Sequence, residues 1–258
     1  MLKILIKNTD YSIELENYLR DVVEVDLDPI DYIEIGYYKP FGDLYLKLKD
    51  QNIDLESVEY YSGSWNPLVI RDKTSKLKRS GFISWEKPEN WRKTEIDGSN
   101  LFWIRFKMED AASLEICGIN LVFSDDIDLK EGYANINNFL PKNADSFIAY
   151  HQEAREYILT YLRNKGEVIK ADGKSKLLDQ YDLHNFNEIR QAAKYLALAN
   201  IFFNESDDVD DKWYQKARDF RQKYTEAINL NFLSLDKNDD GLRTENEHKI
   251  KAVRIVRL

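Results

Sequence analysis

The feature that most constrains this chain is a change in the period of its apolar residues. Up to about residue 125 they alternate with polar ones, as in Tyr32-Ile-Glu-Ile-Gly-Tyr-Tyr38 and Leu44-Tyr-Leu-Lys-Leu-Lys49. A period of two sends one side of an extended segment into a core and the other toward water. Beyond residue 145 the apolar positions fall three and four apart, the spacing that makes a stripe along an α-helix. Two such patterns are served better by two modest domains than by one, and 258 residues suffice for both.

The expected fold class is therefore α+β and multidomain. Residues 1–125 predict an antiparallel β-sandwich, with strands near residues 2–7, 32–38, 43–49, 58–61, 68–72, 82–85, 102–108 and 114–123. Residues 126–145, with scattered apolars, Asn, Gly and Pro141, read as an extended connection. Residues 146–258 predict a helical domain that ends in a loop and a tail. The first stripe holds Phe147, Ala154, Tyr157, Ile158, Tyr161 and Leu162, the second Phe186, Ile189, Ala193, Leu196, Ala197 and Phe203. A third runs through Trp213, Ala217, Phe220, Tyr224, Ala227 and Ile228, and the run Asp207-Asp-Val-Asp-Asp211 before it supplies a cap and negative charge for its N-terminus. The last segment, Ile250-Lys-Ala-Val-Arg-Ile-Val-Arg-Leu258, suits a strand or a docking tail better than a fourth helix.

Charge separates the two parts as well. Residues 1–140 carry the whole net charge of −9, whereas residues 141–258 are balanced. Phosphate attraction needs clustered cations, so sequence-specific nucleic-acid binding is not expected. The single Cys117 excludes an internal disulfide framework, and its apolar surroundings suggest a small buried residue. Met1-Leu-Lys-Ile-Leu-Ile-Lys7 is interrupted by Lys3 and Lys7, so a first strand is expected there and no cleaved export signal. No segment approaches the roughly 20 apolar residues of a membrane span.

The sharpest motif is Asp236-Lys-Asn-Asp-Asp-Gly-Leu-Arg-Thr-Glu-Asn-Glu247, which meets every position of the EF-hand calcium pattern. Asp236, Asn238 and Asp240 alternate, so a tight loop can aim three oxygens at one point. Gly241 permits the sharp turn, Leu242 offers its carbonyl, and Glu247 stands where a carboxylate can bind with both oxygens. Arg243 occupies the position where a hydrophobic residue ties paired hands together, so a solitary structural calcium site is the functional reading. An acidic Asn/Asp/Gly turn is the bland one.

No catalytic motif stands out, and His151, His184 and His248 belong to no recognised pattern with Ser, Cys or acids. A hydrogen-bonded or surface role is expected for each. Trp65, Trp85, Trp91 and Trp103, with Tyr60, Tyr61, Phe82 and Phe102, are expected to fill the sandwich and brace its loops. The alternatives are stacking on sugar rings or a place in a subunit interface.

Two groups of residues resemble a known family. Leu178-Asp-Gln-Tyr-Asp-Leu-His-Asn-Phe-Asn-Glu-Ile-Arg-Gln-Ala-Ala-Lys-Tyr-Leu-Ala-Leu198, then Ile201-Phe-Phe-Asn-Glu-Ser-Asp-Asp-Val-Asp-Asp-Lys-Trp-Tyr214, resemble the head–tail connector (adaptor) proteins of tailed bacteriophages. Ser80-Gly-Phe-Ile-Ser-Trp85, Pro88-Glu-Asn-Trp91 and Phe102-Trp-Ile-Arg105 look like a β-sandwich appended to phage virion proteins. The resemblance implies a three-helix adaptor-like domain and a homo-oligomeric ring, commonly of twelve copies. It implies a non-enzymatic place in the virion, assembled in the host cytoplasm, between the portal protein and the next neck or tail protein. The alternative is a calcium-stabilised carbohydrate-binding module of a tail fibre or baseplate.

Overall fold

The computed structural model describes residues 2–16, 22–49, 54–164, 168–171, 174–178, 180–183 and 186–230. The chain divides into two compact units, Met1–Leu121 and Val122–Leu258. Antiparallel sheets make up the first, and helices dominate the second.

The first unit contains β1 (Lys3–Ile6), β2 (Thr9–Asp10), a short α1 (Ser12–Glu16), β3 (Val23–Leu27), β4 (Tyr32–Tyr37), β5 (Asp43–Leu48) and β6 (Leu55–Tyr61). There follow β7 (Trp65–Pro67), β8 (Ile70–Asp72), β9 (Gly81–Trp85), β10 (Thr94–Ile96), β11 (Ser99–Met108) and β12 (Ala112–Ile119). One sheet has the order β2-β1-β4-β11-β6-β7, with β10 paired to β11, and the other β3-β12-β5-β9-β8. Register follows the period-two pattern: Ile33 lies opposite Phe106 and Ile35 opposite Ile104, all buried, while Glu34 faces Arg105. Strand β3 alternates buried and exposed along Val-Glu-Val-Asp-Leu, although no strand was expected there.

Aromatics link the sheets of this unit. The ring of Phe41 stands 5.5 Å from Trp85 of β9 and 5.3 Å from Trp91, and Trp91 lies 5.7 Å from Phe102 of β11. Trp85 Nε1 donates to the Phe41 carbonyl at 2.9 Å, which ties the ring into the cluster. Trp103 is fully buried and donates to the Thr94 carbonyl at 2.9 Å. Its ring lies over Gly36, where a Cβ would come within 2.7 Å of two ring carbons.

Two expectations need correction in this unit. The strand expected to reach residue 123 ends at Ile119, because Asn120 adopts φ 55° and turns the chain. Asn120 then accepts from Tyr45 N through Oδ1 and donates its own N–H to the Tyr45 carbonyl. Cys117 is half-exposed: Leu114 and Ile116 take the inward face of β12, so the odd-numbered positions beside them face outward.

The second unit holds α2 (Asp126–Gly132), α3 (Ile148–Asn164), the hairpin β13 (Val168–Ala171) and β14 (Lys174–Leu177), α4 (Asn187–Asn204) and α5 (Lys212–Leu230). The three long helices lie where the stripes predict them. Asp211 accepts from the N–H of Trp213 at 3.1 Å, a cap at the start of α5. Ala192, Ala193, Ala197 and Leu196 are fully buried on α4, whose small side chains let α5 approach.

Residues 126–145 are not the extended connection expected. They carry α2 and a 3-10 turn at Ile136–Phe139, with Leu129 and Ile136 fully buried. Tyr133 and Phe139 from this stretch stand 5.0 Å and 5.3 Å from Phe202, and Phe139 is 4.9 Å from Trp213. They thus cover aromatic surface that the three stripes alone would expose. Two stripe residues also depart from expectation. Phe203 is 59% exposed and Tyr157 44%. Among the described residues no helix is long and apolar enough to cross a membrane.

The buried ring of Trp103 yields a direct test. Trp103→Ala should lower stability by roughly 3–5 kcal/mol, measured by chemical denaturation of the full chain. An unchanged midpoint would mean that the ring braces nothing.

Candidate functional site

The residues chosen from sequence for calcium, Asp236, Asn238, Asp240, Leu242 and Glu247, lie outside the described residues. So do His184, His248 and the tail at residues 250–258. Among the described residues no group of three or more His, Cys, Asp or Glu is placed to hold a metal ion. Trp85, Trp91 and Trp103 are buried, as expected for core and bracing residues. Trp65 is different: it is half-exposed beside Tyr61 at 5.2 Å, with the Arg105 guanidinium 4.4 Å from its ring centre. Arg105 is itself held by Glu59 at 2.5 Å and stacks 4.1 Å from the centre of Tyr32.

One constellation was not foreseen. Ser124 Oγ lies 2.8 Å from His151 Nδ1, and His151 Nε2 lies 3.1 Å from Asp126 Oδ1. Ser, His and Asp in series invite comparison with a nucleophilic triad. Burial decides against it, since Ser124 is wholly inaccessible and His151 is 1% exposed. No acyl group can reach such a hydroxyl. The same Asp126 oxygen accepts from Phe147 N at 3.1 Å, so the series fastens the start of α2 to the start of α3.

Beside it sits a buried ionic cluster. Asp125 caps α2 by accepting from Asp128 N, and the Asp128 carboxylate accepts from Asp125 N in return, a reciprocal capping box. Arg190 of α4 directs Nε at both oxygens of Asp128, 2.8 Å away, and Nη2 at Asp125 Oδ2, 3.3 Å away. Burial pushes the Asp125 carboxyl up to about 6, and the neighbouring Asp128 charge adds to this, while Arg190 pulls it back. These groups are closed to solvent and act as a fastening. The Asp-x-x-Asp spacing was the sequence signal for the cap, but nothing local pointed to Arg190.

Among the described residues, an open groove lies along α4 and α5. A groove of about 340 Å³ is lined by Ala199, Asn200, Phe203, Tyr214, Ala217, Arg218 and Arg221. Arg221 donates to the Tyr157 hydroxyl at 2.5 Å and lies 4.5 Å from the centre of that ring. Arg218 is exposed and has no ion-pair partner among the described residues. A groove lined by apolar side chains and two guanidinium groups can take an apolar segment that carries carboxylates. No family model and no curated protein matches the chain.

The ionic cluster gives two expectations. Arg190→Ala leaves two buried carboxylates without their cation and should cost roughly 3–5 kcal/mol. The Asp125 carboxyl has a folded pKa of about 6 against 3.8 in its ordinary state, so its protonation favours the folded unit. That contribution is fully present below pH 3.8 and is lost as pH rises through about 6. Asp128, Arg190 and His151 are the charged or titratable groups that act on that carboxyl. The carboxylates of Asp10, Asp31 and Asp54 are instead held below the usual range, so their effect falls at lower pH. The thermal midpoint should therefore rise by a few degrees from neutral pH to about pH 5, and Asp125→Asn should flatten that slope in scanning calorimetry.

Proposed function

We propose that this chain is a non-enzymatic structural protein of a phage neck. It forms a homo-oligomeric ring in the virion, commonly of twelve copies, between the portal protein and the next neck or tail protein. The finer architecture that goes with this reading is an N-terminal β-sandwich carrying a three-helix adaptor-like domain. The observation that supports it most is the open α4–α5 groove, where Phe203 is 59% exposed next to Tyr214, Arg218 and Arg221. A groove lined by apolar side chains and cations is of the kind that protein partners cover. The one Ser-His-Asp series among the described residues is sealed from substrate, which favours an interaction role over hydrolysis.

A second reading, a calcium-stabilised glycan-binding module of a tail fibre or baseplate, has one observation in its favour. Trp65 and Tyr61 are half-exposed together and could stack on a sugar ring. Trp65→Ala would then abolish binding on a glycan array and leave the fold intact. The neck reading predicts instead that the full chain associates with purified portal rings, seen by negative-stain imaging and co-sedimentation. A chain that ignores portal and retains a glycan would replace the first reading with the second.

Calcium at Asp236, Asn238, Asp240, Glu247 and the Leu242 carbonyl belongs to either reading. The donor set consists of hard oxygens with three carboxylates, which suits that ion. Bound there, calcium would fix the direction of residues 250–258. Calcium at a hundredfold excess over Kd should stabilise the folded chain by about 2.7 kcal/mol. EDTA should remove that gain, as should Asp236→Ala or Glu247→Gln. Identical calorimetric curves with and without EDTA reduce the loop to an acidic turn.

A further inference from the structure

The loop between α4 and α5, Asp207-Asp-Val-Asp-Asp211, carries an apolar tip among four carboxylates. Val209 is 59% exposed. Backbone N–H groups engage two of the four carboxylates: Val209 N donates to Asp208 Oδ1, while Asp207 N and Trp213 N donate to Asp211. None of the four has an ion-pair partner among the described residues. The groove on the same helix pair is the converse, with Phe203, Ala199 and Ala217 beside Arg218 and Arg221. Arg218 and Arg221 stand roughly 9–14 Å along α5 from its first residue at 1.5 Å per residue. An arginine groove and an acidic apolar tip thus adjoin on one molecule.

We propose that this groove receives the acidic Asp207–Asp211 loop of a second copy of the chain. Each copy carries both halves side by side, so one two-fold contact engages both at once: the loop of each copy enters the groove of the other. Val209 supplies the apolar tip that meets Phe203 and the alanines. The flanking carboxylates meet Arg218 and the outer guanidinium edge of Arg221, pairs that steer encounter and fix register. The chain cannot satisfy this match within itself, because the loop joins the two helices that form the groove and is too short to fold back between them. The pairing is independent of the neck reading, since it needs no portal.

Sedimentation of the full chain across the micromolar-to-millimolar range tests it. Arg218 and Asp210 are both exposed, so Arg218→Glu and Asp210→Arg should leave the circular dichroism spectrum and melting unchanged. The wild-type chain should self-associate, and more weakly as salt rises, because such charges are screened within about 10 Å at 0.1 M. Each variant alone should associate at least about tenfold more weakly, since a like-charged pair then replaces an attractive one at each of the two contacts. Mixing the two variants should restore pairing, because one contact then joins a wild-type loop to a wild-type groove and in the other the two substituted positions are again opposite in charge. Association that is unchanged in either variant overturns the proposal, as does failure of the mixture to recover. A monomeric wild-type chain overturns it too, and leaves the groove to a foreign partner or to the chain's own residues after 230.

Discussion

A guanidinium taken out of water has to bring its counter-charges with it, and the helical unit is organised around that requirement. Arg190 is 9% exposed in the first turn of α4, an otherwise apolar helix. Two carboxylates answer it, and both belong to the first turn of α2. The cost of burying three charges is offset only when every geometry is met, so the start of α2 can stand in one place against α4. His151 and Ser124 extend the same fastening to α3. Polar groups therefore set the positions of three helices, and apolar packing fills what lies between them.

That placement has an effect farther along the chain. With the first turn of α2 fixed, Tyr133 and the 3-10 turn behind it come to rest on Phe202 and Trp213. Lys216 lies 4.9 Å from the centre of Tyr133, and Lys212 lies 4.5 Å from that of Trp213, so cations close the outer edge of the aromatic stack. Among the described residues, the edge beside Phe203 receives no such cover. Among the described residues, the groove beside Phe203 thus stays open where the aromatic stack is closed.

Much of the framework was legible from periodicity, since three helical stripes and most strands need only a face toward a core. Strand β3 is equally legible in the alternation Val23-Glu-Val-Asp-Leu27, although its acidic neighbours suit a loop. Residues 126–145 misled because polar Asp and Asn suggest a loop, whereas Asp125 and Asp128 here cap a helix and pair with an arginine 62 residues away. No local pattern encodes such a partner. Cys117 shows a similar limit: the apolar run around it hid the fact that strand alternation sends every second residue outward. Exposure of Phe203 is a property of the packed unit and of no single stripe. The calcium pattern is legible as chemistry alone, because its donors fall in a segment beyond the described residues.

Gly36 and Trp103 face one another across β4 and β11, and the indole occupies the space where any side chain at residue 36 would begin. The two positions are thereby bound in inheritance. A relative that keeps the large ring must keep the glycine, and one that gains a side chain at the first must shrink the second. Such a pair changes jointly or not at all. In diverged sequences, where overall similarity has faded, a glycine and a tryptophan on neighbouring antiparallel strands would mark common descent better than any run of consecutive letters.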